Sequence, residues 1–198
     1  MVHVSFIVPF YGVEKFIGRC LESIYAQPVS EDEYEVICID DCSPDLSKDI
    51  VKQFQLQHKN LSLIINEENL RLGGGRNVGI RHAKGKYLWF VDSDDMIAEN
   101  ILPKFIELCK KHTPDVLAFN FVRINQQNEI VYTGDTHLNL TNCKTGLAYI
   151  KETFGTNYQY YIMGYVWSYL YRTDFIKELA LYFPEKVLWE DTIFAPKA

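Results

Sequence analysis

Val4 to Val8 is an apolar run broken only by Ser5 and rich in β-branched residues, as expected of a strand covered on both faces. Val13, Phe16, Ile17, Cys20, Leu21 and Ile24 then recur at the spacing of an amphipathic helix. This change of period repeats along the chain. Glu35 to Ile39 predicts a second strand. Leu46, Ile50, Val51 and Phe54 predict a second helix, with Ser43-Pro44 as its N-cap and first residue. Leu61 to Ile65 predicts a third strand, Gly73 to Ala83 a helix with a glycine-rich start, and Tyr87 to Val91 a fourth strand. Ile97, Ile101, Leu102, Phe105, Ile106 and Cys109 predict a fourth helix, and Val116 to Val122 a fifth strand. Nearly all-apolar strands alternating with helices define an α/β chain: a mostly parallel open sheet with helices on both faces.

The pattern changes after residue 123. Asn125 to Asn128 is a polar, turn-like cluster between Val122 and Ile130-Val131-Tyr132, which predicts a hairpin. Thr141 to Phe154 predicts a short helix. Tyr158, Tyr160, Tyr161, Tyr165, Trp167, Tyr169 and Tyr171 form an aromatic stretch, which belongs more often to a core than to a ligand platform. The expected organisation is an α/β half over 1–123 and a smaller region over 124–198. The second region is expected to continue beyond residue 198, because the chain stops seven residues after Asp191 with no clear terminal element.

Composition narrows the partners. Twenty Lys+Arg against 26 Asp+Glu leave a net charge of −6, which argues against general affinity for nucleic acid. No apolar run reaches the ~20 residues of a spanning helix. Five cysteines without a C-x-x-C pair indicate neither a disulfide framework nor a zinc site, so the expected compartment is the cytoplasm.

In open parallel sheets, ligands bind beyond the carboxyl ends of the strands. Three such ends carry candidate chemistry: Pro9-Phe10-Tyr11, Asp40-Asp41-Cys42-Ser43 and Asp92-Ser93-Asp94-Asp95. Alternate side chains of extended backbone share a face, so Asp92 and Asp94 can meet one cation. Two hard oxygen donors suit magnesium or manganese; the competing reading is a surface turn that caps the next helix. Asp40 and Asp41 either bond a ligand or favour a helix N-terminus. Gly73-Gly74-Gly75-Arg76-Asn77-Val78-Gly79 fails the G-x-G-x-x-G test, since Val78 stands where the last glycine belongs. A glycine-rich helix start can still approach an anion. Arg71 and Arg76 would then meet phosphate or a base, or each could form a solvated salt bridge.

In order along the chain, Val4 to Tyr11, Ile39 to Asp45, Gly75 to Ile80, Phe90 to Asp95, Trp167 with Leu170-Tyr171-Arg172, and Trp189 to Thr192 resemble the family 2 glycosyltransferases. The resemblance implies the Rossmann-like GT-A fold, with a nucleotide-sugar-binding half and a smaller acceptor-side region. It implies transfer of a sugar, with inversion, from a nucleotide-sugar donor, most often UDP-linked, to an acceptor hydroxyl on a polysaccharide or glycolipid. Tyr11 falls where the family packs the base and Asp41 where a carboxylate bonds it. Pro9, Arg71, Arg76 and Ser93 fall in segments bordering the donor. Asp92 and Asp94 match the DxD motif, which holds a divalent cation, manganese or magnesium, on the diphosphate. Asp191 matches the catalytic base. A lipid acceptor would bring the protein to the inner face of the membrane; the oligomeric state is left open.

Three departures from the family pattern stand out. Cys42 replaces the usual glycine, Tyr169 replaces a common lysine, and the metal-ligating histidine often found after the acid pair has no counterpart before residue 198. Two alternatives remain. A sugar-phosphate nucleotidyltransferase would need a glycine-rich signature near the first strand, which Pro9-Phe10-Tyr11-Gly12 does not supply. A non-catalytic nucleotide-sugar-binding module is opposed by the intact Asp92, Asp94 and Asp191.

Overall fold

The computed structural model describes residues 1–125, 127, 129–134 and 165–198. The predicted helix over 141–154 and Tyr158, Tyr160 and Tyr161 lie outside the described residues. The first elements are β1 (Val4–Phe10), α1 (Ile17–Tyr25), β2 (Tyr34–Asp40), α2 (Ser47–Gln57), β3 (Leu61–Ile65), α3 (Arg71–His82), β4 (Tyr87–Phe90), α4 (Leu102–His112) and β5 (Val116–Ala118). The hairpin strands β6 (Phe121–Ile124) and β7 (Ile130–Gly134) follow. Further along come β8 (Tyr169–Arg172), α5 (Thr173–Glu178) and α6 (Asp191–Phe194).

The main sheet runs in the order β3-β2-β1-β4-β8-β5. Strands β1 to β4 are parallel, while β8 is antiparallel to both β4 and β5. Alternation along each central strand explains the continuous apolar runs. Val4, Phe6, Val8 and Phe10 of β1 join one core with α1, Val51 of α2 and the buried face of α4. Ile7 of β1 joins the other core with Val78 and Ile80 of α3, Ile176 of α5 and Phe194 of α6. Helices thus cover both faces, as the nearly all-apolar strands predict. The aromatic stretch divides. Tyr169 and Tyr171 enter the second core, while Tyr165 and Trp167 stack on each other with Phe121 edge-on to the Trp167 ring.

Three expectations are corrected. The single fifth strand over 116–122 is two strands. β8 takes the position beside β4 and pairs with only Val116 to Ala118; the chain then leaves the sheet and Phe121 pairs with Gly134. The second helix does not start at Ser43-Pro44. The Ser43 N–H donates to Asp40 Oδ1, and Asp45 Oδ1 accepts from both N–H and Oγ of Ser47, so the helix begins at Ser47. The glycines do not form a helix start open to an anion. α3 begins at Arg71, which places Gly73, Gly74 and Gly75 inside it, all buried.

Candidate functional site

The parallel registers bring the candidate segments to one edge. Phe10 pairs with Asp40 and Ile7 with Phe90, so Tyr11, Asp41 and Asp92 each leave the carboxyl end of a neighbouring strand. Tyr11 is half exposed (53%). Asp41 is buried, and its Oδ1 accepts from Asn66 Nδ2 (2.8 Å) and the Leu70 N–H (2.8 Å). Asn69 Nδ2 donates to the Asp41 carbonyl at 3.0 Å. Asp41 thereby ties the end of β2 to the loop that enters α3. Cys42 adopts φ +67°, the left-handed region, and its Sγ reaches the Asn66 carbonyl. The turn after Asp41 keeps a conformation suited to glycine, at a steric cost of roughly 1–2 kcal/mol for a side chain there.

The second convergence is on Arg76, whose side chain is 0% exposed. Its Nη2 donates to Asp92 Oδ1 at 2.8 Å. Its Nη1 donates to Glu190 Oε1 at 2.8 Å and to Asp191 Oδ1 at 3.0 Å. Phe183 lies under the guanidinium, 5.3 Å from its ring centroid. Burial works against the guanidinium's charge, and Asp92, Asp191 and Glu190 more than offset it, so its pKa lies above the usual arginine value. One positive charge faces three carboxylates, and the consequence shows on the acids. Burial pushes Asp92 up against the pull of Arg76. Burial, with the hydrogen bond that the protonated Glu190 carboxyl donates to Asp191, pushes Glu190 up to about 7.

The acid pair reaches Arg76 because α3 also holds the segment before it. Asn77 Nδ2 donates to the Phe183 carbonyl (2.9 Å), and the Phe183 N–H returns a bond to Asn77 Oδ1 (2.8 Å). A Cβ on Gly73 would sit 2.7 Å from the Pro184 carbonyl oxygen and 3.1 Å from Glu190 Cγ. Only glycine permits this approach. Trp189, just before the pair, is 78% exposed and adopts φ +62°. Its carbonyl accepts from N and Oγ1 of Thr192, which shapes the start of α6.

The loop after β4 is anchored from α1. Arg19 Nη2 donates to the Asp94 carbonyl (2.9 Å), and Ser23 Oγ accepts from the Ile97 N–H. Buried Gln27, on the loop after α1, donates to the Ala98 carbonyl and accepts from Ile101 and Leu102 N–H groups. Ser93 is buried, while Asp94 points outward as an exposed residue. Arg71 is exposed at the first position of α3, with φ +62°. Pro9 lies against α3, 2.9 Å from where a Cβ on Gly75 would stand.

The structure thus joins Arg76, Asp92 and Asp191 in one network. Asp41 stands at the end of β2, on the other side of β1 from β4, and binds a different loop. Sequence reasoning missed the part played by Glu190, Asn77 and Gln27. Glu190 and Asn77 were visible only as neighbours of Asp191 and Arg76, and Gln27 carried no signal.

Among the described residues, no group of three or more His, Cys, Asp and Glu side chains could hold a metal ion. Asp92 and Asp94 are two carboxylates, and Asp92 commits Oδ1 to Arg76. Such a pair fits a magnesium-like ion that takes its other ligands from substrate phosphates and water, and does not fit an all-protein cage.

The model for glycosyl transferase family 2 matches residues 5–175, and the chain belongs to that family. It is 29% identical over 193 residues to the "Uncharacterized glycosyltransferase EpsJ" of Bacillus subtilis, covering 96% of this chain and 54% of that protein. It is 29% identical over 204 residues to the poly(ribitol-phosphate) beta-N-acetylglucosaminyltransferase TarS of Staphylococcus aureus, covering 100% of this chain and 32% of TarS. The chain therefore spans about half of the first relative's length and about a third of the second's. The solved structure of S. aureus TarS 1-349 with UDP-GlcNAc superposes with a TM-score of 0.78 at 29% identity, covering 98% of this chain and 52% of that one. That likeness bears out the GT-A fold and the mostly parallel α/β sheet. The mannosyltransferase PcManGT of Pyrobaculum calidifontis, solved with GDP-Man and Mn2+, shares the fold with a TM-score of 0.64 at 18% identity, covering 96% of this chain and 50% of that one.

Proposed function

We propose that this chain carries the donor site and the base of an inverting, cation-dependent glycosyltransferase. It moves a sugar from a UDP-linked donor to an acceptor hydroxyl on a cell-surface polymer or glycolipid. The observation that carries the reading is the meeting of Asp92, from the end of β4, with Glu190 and Asp191 on one buried arginine. In this reading residues 1–123 form the donor half, and 124–198 bring the base to it. The UDP donor and polymer acceptor draw support from the UDP-GlcNAc complex of TarS and from the poly(ribitol-phosphate) acceptor in its name.

Tyr11 and Arg71, exposed at the strand edge and at the start of α3, contact the base, and Asp41 shapes the floor between them. Pro9 and Ser93 line the donor site. Asp92 and Asp94 would hold a divalent cation, magnesium or manganese, which when bound would neutralise charge developing on the diphosphate leaving group. Asp191 takes the proton from the acceptor hydroxyl as its oxygen attacks the anomeric carbon. The new C–O bond forms as the bond to the diphosphate breaks, and the electron pair leaves on UDP. One displacement inverts the centre without an enzyme nucleophile.

Calorimetric titration of UDP with and without manganese tests the donor site, and binding that requires manganese is expected. Asp191→Asn tests the base: it should retain UDP binding and lose turnover of UDP-GlcNAc onto poly(ribitol phosphate). A variant with the wild-type rate would remove Asp191 from the mechanism.

A further inference from the structure

We propose that Arg76 is a positioning residue that sets the base Asp191 in register with the donor-side carboxylate Asp92; the inference rests on the function proposed above. These two carboxylates come from distant parts of the sequence and from different elements. Asp92 follows β4, whose position is fixed by β1, with the Val91 N–H donating to the Ile7 carbonyl at 3.0 Å. Asp191 begins α6, after the loop that follows α5. α3 packs on β1, where Gly75 meets Pro9 and Gly79 meets Ile7. The same helix grips the Phe183–Glu190 segment through Gly73, Arg76 and Asn77. Arg76 is thus the group through which the two functional carboxylates are held at a common distance.

The geometry suits arginine in particular. A guanidinium is a rigid planar fork, so the partners of Nη1 and Nη2 are fixed relative to each other. Lysine offers a point charge on a flexible stem and cannot impose that relation. Exposure divides the network in the same way. The Arg76 and Glu190 side chains are closed off at 0% and 6%, whereas Asp191 and Asp92 keep 19% and 25%. The two carboxylates assigned to chemistry each retain an open side. Glu190 takes the remaining hydrogen-bonding capacity of Nη1 and closes the network behind them. A purely stabilising role accounts poorly for this arrangement. Three carboxyl groups crowd one buried cation whose single charge cannot match them all, and well-packed apolar groups serve stability as well or better.

Arg76→Lys is the test, with Arg76→Gly plus added guanidinium as the second variant. Each is measured on correctly folded protein for kcat and KM with UDP-GlcNAc and for UDP affinity in manganese. A misplacement of about 1 Å costs on the order of 100-fold in rate. Arg76→Lys is therefore expected to lose about 100-fold in kcat, with donor KM and UDP affinity changed only a few-fold. Guanidinium should restore part of the rate of Arg76→Gly. A kcat within threefold of wild type in Arg76→Lys, or a loss that lies wholly in KM, overturns the proposal. A crystal structure of Arg76→Lys supplies a readout independent of turnover. Unchanged separation of Asp191 and Asp92 also overturns the proposal, and a shifted Asp191 supports it. Absence of turnover in the wild type would count against the proposed function, and the crystal structure would still decide the role of Arg76.

Discussion

Gly79 sits about one helical turn beyond Arg76, where α3 packs against Ile7 of β1. A Cβ there would overlap Ile7 Cγ2 and stand 3.0 Å from Ile7 Cγ1 and 3.2 Å from its Cβ. Ile7 is 0% exposed and lies on a central strand. A β-branched side chain has little rotamer freedom with which to yield. Gly79→Ala therefore forces α3 away from the sheet. Overpacking of this kind costs roughly 1–3 kcal/mol, and the better helix propensity of alanine returns about 1 kcal/mol. The net expectation is a loss of about 1 kcal/mol, or a Tm lower by roughly 2–4 °C for a domain of this size. A double-mutant cycle isolates the contact. Ile7→Ala alone creates a cavity costing about 2–5 kcal/mol, and in Ile7→Ala/Gly79→Ala the new methyl group enters that space. The double variant should be more stable than the sum of the single losses by about 1 kcal/mol, within the usual range for residues in contact. Chemical denaturation of the four proteins measures each corner. A stabilising Gly79→Ala, or a cycle with no coupling, would refute the argument that glycine is needed for close approach of helix and strand.

Gln27→Leu should destabilise the protein by about 2–4 kcal/mol, since it strips partners from the Ile101 and Leu102 N–H groups and the Ala98 carbonyl. Thermal unfolding measures this, and a loss under 0.5 kcal/mol would show that water replaces the side chain. Burial raises the Glu190 carboxyl from its ordinary 4.5 to about 7 in the folded protein. The folded state thus binds the extra proton, and this group's stabilisation is full below about pH 4.5 and lost as pH rises through about 7. With chelator present, wild-type Tm should therefore fall more steeply than that of Glu190→Gln across this window. Parallel curves would place the Glu190 carboxyl near its ordinary value.

Much of the fold was legible because it follows from local period. Nearly all-apolar strands require cover on both faces, and the two cores show that cover, with Val4, Phe6 and Val8 on one side and Ile7 on the other. The strand-end segments at Tyr11, Asp41 and Asp92 were legible for the same reason, since parallel strands bring their carboxyl ends to one edge. Helix starts were less legible. The Ser43-Pro44 signal lost to Asp45, whose side chain accepts from the N–H and Oγ of Ser47 at the first helical position. The run over 116–122 read as one strand because its apolar residues are continuous, whereas its division depends on β8, which arrives about fifty residues later to pair with 116–118.

The amino-acid sequence by itself determined the class: the order of strands and helices, the acids at strand ends and the short motifs of family 2 are local properties of the chain. Only the tertiary structure decided what Arg76 does. From sequence it stood beside three glycines in a segment that suggested an anion nearby. In the fold those glycines let α3 approach Pro9 and Pro184, and Arg76 is buried among three carboxylates. The physical reason is range. A period or a cap is set by residues a few positions apart, whereas the partners of a buried charge are set by which distant segments the packing brings within 3 Å.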